Sequence, residues 1–496
     1  MTTLATQPPE LGARGRWTVL AVCALSMFLV GLDTTIVNVG LPAIGEGLGT
    51  GTRGLAWVVD AYTVVLAGLL IVSGALADRF GRRRVFRCGL VVFGLASLAC
   101  ALAPSLGVLV AARALQGVGA SMLSPVALAI VVNTMPDPRE RARAIGIWAS
   151  VFGLSMAAGP VTGGALIDTF GWRSVFWVNA PVVVAALVLV AVFVPADRVR
   201  EGGRGRGRGR ERDGQRGREQ DGQRGKERDG QRPRRLDLPG QLLLTVALSL
   251  SVGVLIEGPR IGWGSPTALT CYALFAAATA AFVRVELRRP EPLMDLRLFR
   301  RPRFAGAVLG AVAVFAALNT GLLLNTLYLQ HTRGWTPLAA GAATLPMALG
   351  ATLCAPWSGS LTGRHGPRRP LLLAGGFTAA GGLCLVGLGP DTSVALLLTA
   401  YLLIGIGFGF ANAPLTNSAV GGLPPSRAGV AGAITSTSRQ VGAAVGIAVA
   451  GALVAGVAPA DLAVASRPGW LLVTGCGLLL LAVAKTAGGA GAVGRP

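Results

Sequence analysis

The chain has 496 residues, a net charge of +22, 52% hydrophobic residues and only 14% charged ones. A soluble chain carries about a quarter charged residues, so there is too little polar surface here to cover several globules, and a mean hydropathy of +0.61 agrees. Soluble multidomain, disordered, collagen-like and coiled-coil organisations are excluded. With only His331 and His365 available, His-based metal sites and His-dependent nucleophilic triads have almost nothing to work with. The seven cysteines fall singly in apolar stretches and read as reduced packing residues, with no C-x-x-C pattern. No metal ligands, no prosthetic group and no enzyme active site are expected.

A bilayer core needs roughly 20 apolar residues per helix. Windows of that size fall at 17–39, 55–76, 85–103, 106–133, 143–166, 174–194, 238–257, 266–284, 304–329, 338–360, 370–389, 393–420, 428–453 and 469–487. The first is too long for a signal peptide and lacks a small-residue cleavage site before the next window. The pattern predicts an all-α polytopic membrane protein with 14 crossings. Placing the N-terminus inside puts 38 Lys and Arg in or beside inner segments, five in outer loops and two, Arg113 and Arg439, within spans. That asymmetry is the positive-inside rule, and it predicts that both termini are cytoplasmic.

Between the sixth and seventh windows, residues 197–236 are dominated by Arg and Gly, with an eight-residue echo beginning at Asp213, Asp221 and Asp229. Such a segment has no apolar surface to bury and is expected to be a solvated, disordered tether on the cytoplasmic side. A nucleic-acid- or lipid-binding tract is the competing reading, but no aromatic residue is interleaved for base stacking, so no nucleic-acid partner is expected. The chain therefore divides into an N-terminal six-helix unit (1–196), this linker, two additional helices (237–290) and a C-terminal six-helix unit (291–496). The two additional helices have few intramembrane polar groups and are expected to be peripheral. Trp17, Trp57, Trp172 and Trp470 lie near window ends and read as interface residues.

The two halves share a weak repeat. Gly74, Leu76, Asp78, Arg79, Gly81, Arg82, Arg83 and Arg84 follow the second window, and Gly359, Leu361, Gly363, Arg364, Gly366, Arg368 and Arg369 follow the tenth, with the shared types 285 residues apart. Repeated halves are the usual construction of secondary transporters. Gly74 is expected to allow close helix approach, Asp78 to pair with an Arg or a helix N-terminus, and the Arg cluster to anchor the turn.

This first copy resembles the signature loop of the major facilitator superfamily. Leu32 to Val39, ending near Pro42 and including Asp33 and Asn38, resembles the first-helix motif of its fourteen-span drug:proton antiporters. Leu109, Arg113, Gln116, Gly117, Gly119 and Ala120 resemble the arginine motif tied to proton transfer. Gly159, Pro160, Gly163 and Gly164 resemble the antiporter motif, with Ser155 where a Gly is common, and Ser436 to Gly446, including Arg439 and Gln440, is similar to the family's thirteenth helix. Gly363 replaces the acid of the second loop copy, the linker is longer than usual, and the tenth window has no acid, which argues against dicationic drugs.

The resemblance implies a major facilitator fold of two six-helix bundles plus two extra central helices, in the cell membrane. It implies a proton-coupled exporter of hydrophobic small molecules such as drugs or antibiotics, driven by the proton gradient, with protons, substrate and membrane lipid as partners and a monomeric state. Competing readings are an uptake permease on the same fold and a membrane sensor whose linker recruits nucleic acid or lipid. An unpaired charge within a span costs about 2.5–3.5 kcal/mol, so Asp33 and Arg113, at matching depth, are read as a coupled pair. Asp60, a turn into the second window, is a second proton-coupling candidate that could equally face outer water. Gly159 and Pro160, with Gly163 and Gly164, are read as gating elements. Asn38, Gln116, Asn319, Asn412, Arg439 and Gln440 are candidate cavity residues, although the asparagines also suit helix–helix hydrogen bonding.

Overall fold

A computed structural model describes residues 12–135, 137–194, 238–289, 296–420 and 425–487. The linker expected at 197–236 and the side chain of Asp78 lie outside the described residues. The remainder is helical: α1 (Ala13–Leu48), α2 (Thr52–Phe80), α3 (Arg82–Ala101), α4 (Leu106–Thr134), α5 (Pro138–Phe170), the short α6 (Ser174–Trp177) and α7 (Asn179–Phe193) come first. Then come α8 (Leu238–Ile261), α9 (Pro266–Arg288), a 3-10 turn (Leu296–Arg300), α10 (Pro302–Leu327), α11 (Pro337–Ala343), α12 (Leu345–His365), α13 (Arg368–Val386), α14 (Val394–Val420), α15 (Pro425–Leu453), α16 (Leu462–Ala465) and α17 (Arg467–Ala487). Among the described residues, 12 helical stretches are long and apolar enough to cross a membrane. Helices α5 and α15, of 33 and 29 residues, pack beside them. The chain is thus a multi-pass membrane protein.

Helix ends follow local rules. The Asp137 carboxylate accepts the Glu140 N–H at 2.8 Å ahead of Pro138, and the Ser265 and Thr336 hydroxyls cap α9 and α11 in the same way, each followed by Pro. The tenth window is broken after Ala343, where Pro346 starts a new helix. The sequence repeat has a structural counterpart. Gly81 (φ 96°) stops α2 by donating to Ala77, and Gly366 (φ 75°) stops α12 by donating to Thr362. A backbone of positive φ is open to Gly at little cost. Arg82 then reaches the Ala129 carbonyl of α4 at 3.2 Å and Arg83 that of Ala191 on α7 at 2.7 Å.

Gly74 departs from expectation. A Cβ there would meet nothing within 4 Å, and the same holds for Gly359. Close approach to α2 is made elsewhere, by α4, where a Cβ on Gly117 would lie 2.6 Å from the Tyr62 carbonyl.

Helices also meet closely at the opposite end, at Leu48. There a Cβ on Gly164 of α5 would lie 2.5 Å from the Cα of Leu338, and one on Gly341 of α11 would collide with the Pro160 carbonyl. The Asp168 carboxylate accepts the Leu338 N–H at 3.2 Å, and the Gln330 amide donates to the Val39 carbonyl at 2.9 Å. Gln330 belongs to a π-helical turn, Tyr328–Thr332, that extends α10. These contacts seal the seam between the α1–α7 half and the α10–α17 half at the Leu48 end.

The expectation that both additional helices are peripheral needs correction for α8. Helix α9 exposes most of its residues and packs mainly on α8. Helix α8 instead lies across both α2 and α15. Its Glu257 accepts from Arg53 (3.2 Å) and from the Trp57 indole N–H (3.0 Å), and pairs with Arg260 at 3.8 Å. The acid sits at the end of its window, where a polar head can stay near water while its stem packs. Two Trp assignments also change. Trp470 is 1% and Trp172 6% exposed, because each fills space beside a glycine, Gly321 and Gly47 respectively.

Gly341→Leu is expected to wedge α5 from α11 at the Leu48 end. A cysteine placed at buried Ala343 of α11 should then react faster with a membrane-impermeant maleimide from that side, with unchanged protein level; equal labelling would show that the backbone contact does not hold this seam.

Candidate functional site

Within α1, Asp33 lies among Val30, Leu32, Ile36 and Val37, all buried. Thr34 and Thr35 return their hydroxyls to the carbonyls of Val30 and Gly31 at 2.7 and 3.1 Å, so they do not compete for the carboxylate. Arg113 and Gln116, three apart on α4, share one helix face and both reach Asp33. Arg113 Nη1 donates to Asp33 Oδ2 at 2.7 Å and to Gln116 Oε1 at 2.7 Å, while Gln116 Nε2 donates to Asp33 Oδ1 at 2.8 Å. Arg113 Nε donates to the Val58 carbonyl of α2 at 3.0 Å. Its guanidinium carbon lies 4.2 Å from the centre of the Tyr62 ring and 5.9 Å from that of Phe176. Asp33, Arg113 and Gln116 are all 0% exposed.

Asn179, which the sequence reading did not single out, completes this group. It opens α7, and its Nδ2 donates to Asp33 Oδ1 at 2.9 Å and to Ser97 Oγ at 3.0 Å. Ser97 in turn donates to the Phe176 carbonyl at 2.9 Å. The Asp33 carboxylate thus takes three charge-assisted hydrogen bonds, from α4 twice and α7 once. The available signal was that Asn179 is the one amide in the sixth window.

The other candidates are dispersed. Asp60 is 0% exposed, which removes the water-facing reading, and neither carboxylate oxygen has a hydrogen-bond partner. It lies one turn from Ala56, whose methyl faces Gly451 of α15, so it borders the seam rather than the Asp33 network. Asn38 donates to the Thr34 carbonyl at 3.3 Å and leaves its Oδ1 unpartnered. Asn319 and Asn412 return their amides to Phe315 and Phe408 of their own helices, at 2.9 and 3.5 Å. Gly159 and Gly163 pack on Thr35 and Ile36 of α1, while Gly164 and Pro160 meet α11, so the four-residue pattern binds α5 to both halves. Gln440 is half-buried. Arg439 donates from Nη2 to Thr416 Oγ1 at 2.6 Å. Among the described residues no group of three His, Cys, Asp or Glu could hold a metal ion.

A helical membrane protein with a repeated loop, a charge pair buried in one half and a seam sealed at one end has the organisation of a secondary transporter. The family model described as Major Facilitator Superfamily matches residues 23–447, and the chain belongs to that superfamily. It is 37% identical over 443 residues to the multidrug resistance protein Stp of Mycobacterium tuberculosis, covering 88% of this chain and 75% of that one. It is 34% identical over 468 residues to the methylenomycin A resistance protein of Streptomyces coelicolor (91% and 90% covered), and 36% over 455 to the puromycin resistance protein pur8 of Streptomyces alboniger (90% and 84%). The fold resembles the crystal structure of a bacterial homologue of the human lysosomal transporter Spinster, in an inward-facing and unoccupied conformation. The TM-score is 0.63 at 17% identity, over 96% of this chain and 97% of that one.

Removing Arg113 alone strands a buried carboxylate and should cost about 3–5 kcal/mol. Asn179→Ala, which removes one bond to a charged group, should cost about 1.5–3 kcal/mol. The check is thermal unfolding of detergent-purified protein: Arg113→Leu should lower the midpoint most, and adding Asp33→Asn should restore part of it. Equal midpoints for wild type and Arg113→Leu would contradict the network.

Proposed function

We propose that the protein is a proton-coupled exporter of hydrophobic small molecules such as drugs or antibiotics, working by alternating access in the cell membrane. The observation that carries the coupling reading is the Asp33 carboxylate, buried in a membrane helix and held 2.7 Å from Arg113. Relatives named for resistance to drugs and antibiotics support the export direction. In this arrangement both Asp33 carboxylate oxygens are partnered, Oδ2 by Arg113 and Oδ1 by Gln116 and Asn179. On this reading the helices alternate between a state in which the pair is formed and one in which it is separated, and Asp33 is the proton carrier between them. Asn179 and Gln116 hold Asp33 in the geometry that Arg113 needs. Asp60, at the seam, is the second proton-coupling candidate.

The chain crosses the membrane 14 times with both termini and residues 197–236 in the cytoplasm, in accord with the distribution of its basic residues. It divides into bundles at 1–196 and 291–496, joined by a tether and by two extra helices within 237–290, and acts as a monomer without a prosthetic group. On this orientation the Leu48 end is outer and closed. Gly74, Asp78, Arg79, Gly81 and Arg82 form the hinge of the inner side. Gly159, Pro160, Gly163 and Gly164 form the outer gate. Asn38, Asn319, Asn412, Arg439 and Gln440 are the polar points of a largely apolar cavity, whereas Gln116, sealed against Asp33 and Arg113, braces the pair instead.

Two measurements test this reading. A cysteine placed in the linker should be labelled only after permeabilisation; labelling in intact cells sinks the topology. In proteoliposomes, substrate-induced proton release should be abolished by Asp33→Asn with the protein still folded, and Arg113→Lys should retain little, since the guanidinium fork is lost. If Asp33→Asn still releases protons, the coupling carboxylate is elsewhere, with Asp60 next.

A further inference from the structure

Two arginines lie within membrane helices, and their surroundings are opposite. Arg113 is sealed and fully satisfied. Arg439 sits fourteen residues from either end of α15 (Pro425–Leu453), in a half-buried position, and Thr416 Oγ1 is its hydrogen-bond partner. Among the described residues no carboxylate lies within ion-pair distance of it. Nor can its own half supply one: from Pro302 to Pro496 the only acids are Asp391 and Asp461, which lie between helices rather than within them.

The walls around this cation are aromatic and amide. The Arg439 guanidinium carbon is 5.9 Å from the Phe315 ring centre, and Phe315 meets Phe408 at 5.2 Å with an interplanar angle of 65°. Asn412 is one turn from Thr416 on α14, half-buried, and Gln440 adjoins Arg439. These residues come from α10, α14 and α15. Helix α10 also touches α1 and α15 touches α2.

A brace arginine would be expected to end on carbonyls or a carboxylate, as Arg113 does. A guanidinium left open in an apolar bundle is expensive, and the cost is recovered when an anion occupies its remaining donors. We infer that Arg439 is the charge-recognition point of the substrate cavity and that the exporter takes aromatic organic anions: flat ring systems bearing a carboxylate, a sulfonate or an ionised phenol. This deepens the exporter reading above and rests on it. The acidic group lies on the guanidinium fork and the ring lies against Phe315 and Phe408. Cations are disfavoured by the same charge.

The test uses fluorescein, an anion at neutral pH, and rhodamine 123, a cation on the same xanthene ring. Binding to the full chain in zwitterionic-lipid nanodiscs is followed by fluorescence polarisation, with empty nanodiscs subtracted and no gradient present. Wild type should bind fluorescein about tenfold or more tighter than rhodamine 123. Arg439→Gln should weaken fluorescein about tenfold or more, the size of one lost charge-assisted contact, and leave rhodamine 123 within about twofold. Arg439→Lys should fall between. Arg288→Gln, which removes the same charge from peripheral α9, should change neither. Fluorescein binding that is no tighter than rhodamine 123 in wild type, or that survives Arg439→Gln unchanged, overturns the assignment. The wild-type comparison decides alone if the variant does not insert. Export of rhodamine 123 without fluorescein binding would overturn the anion site while leaving the exporter reading intact.

Discussion

A lipid interior supplies no hydrogen bonds, so a charge placed there must find its partners within the protein. The Asp33–Arg113 pair shows how much structure that demand recruits. To hold one carboxylate and one guanidinium at 2.7 Å, the fold brings Gln116 from the same face of α4, Asn179 from the start of α7, Ser97 from α3 and the Val58 carbonyl from α2. Five helices of one half are fixed by a single ion pair and its supporters. Desolvation is costly for both ions, and their attraction offsets it only when the remaining donors and acceptors are satisfied. Breaking the pair therefore disturbs a whole half, which makes it suitable as a switch.

Movement of that half requires a seam that can open, and the composition of the seam follows from the same absence of a hydrophobic driving force between helices in lipid. Association there depends on close van der Waals fit, which small residues permit. At the Leu48 end the backbones of α5 and α11 touch at Gly164 and Gly341, and two hydrogen bonds cross between halves. Gly74 and Gly359 make no such contact.

Much of this was legible in the sequence, for identifiable reasons. Window lengths and the distribution of Arg marked the helices because the bilayer imposes thickness and sidedness on composition. The Asp33–Arg113 pairing was legible because two opposite charges at matching depth have few alternatives in lipid. Asn179 was not, since an amide at a helix start is ordinary and its importance arises only when α7 meets α1. Trp470 misled because a Trp near a window end suits an interface or a packed core equally well, and the glycine that makes room for it, Gly321, is far away in sequence. Asp60 could not be placed because its burial is created by α15, some four hundred residues further on.

The two halves resolve the problem of an intramembrane cation differently, and that difference follows from where the acids are. The first half keeps Asp33 and Asp60 inside its helices, so Arg113 can be neutralised internally. From Pro302 onward no acid lies within a helix, yet Arg439 sits at mid-helix. A charge of this kind costs about 2.5–3.5 kcal/mol at the centre of a membrane helix, and neutral Gln or Met would fill similar space. Thr416 beside it is exposed. On the anion reading the cost is recovered by a bound anion, so the empty and occupied states differ in stability at this residue. In a transporter, that difference lets the cargo bias which way the seam stands open.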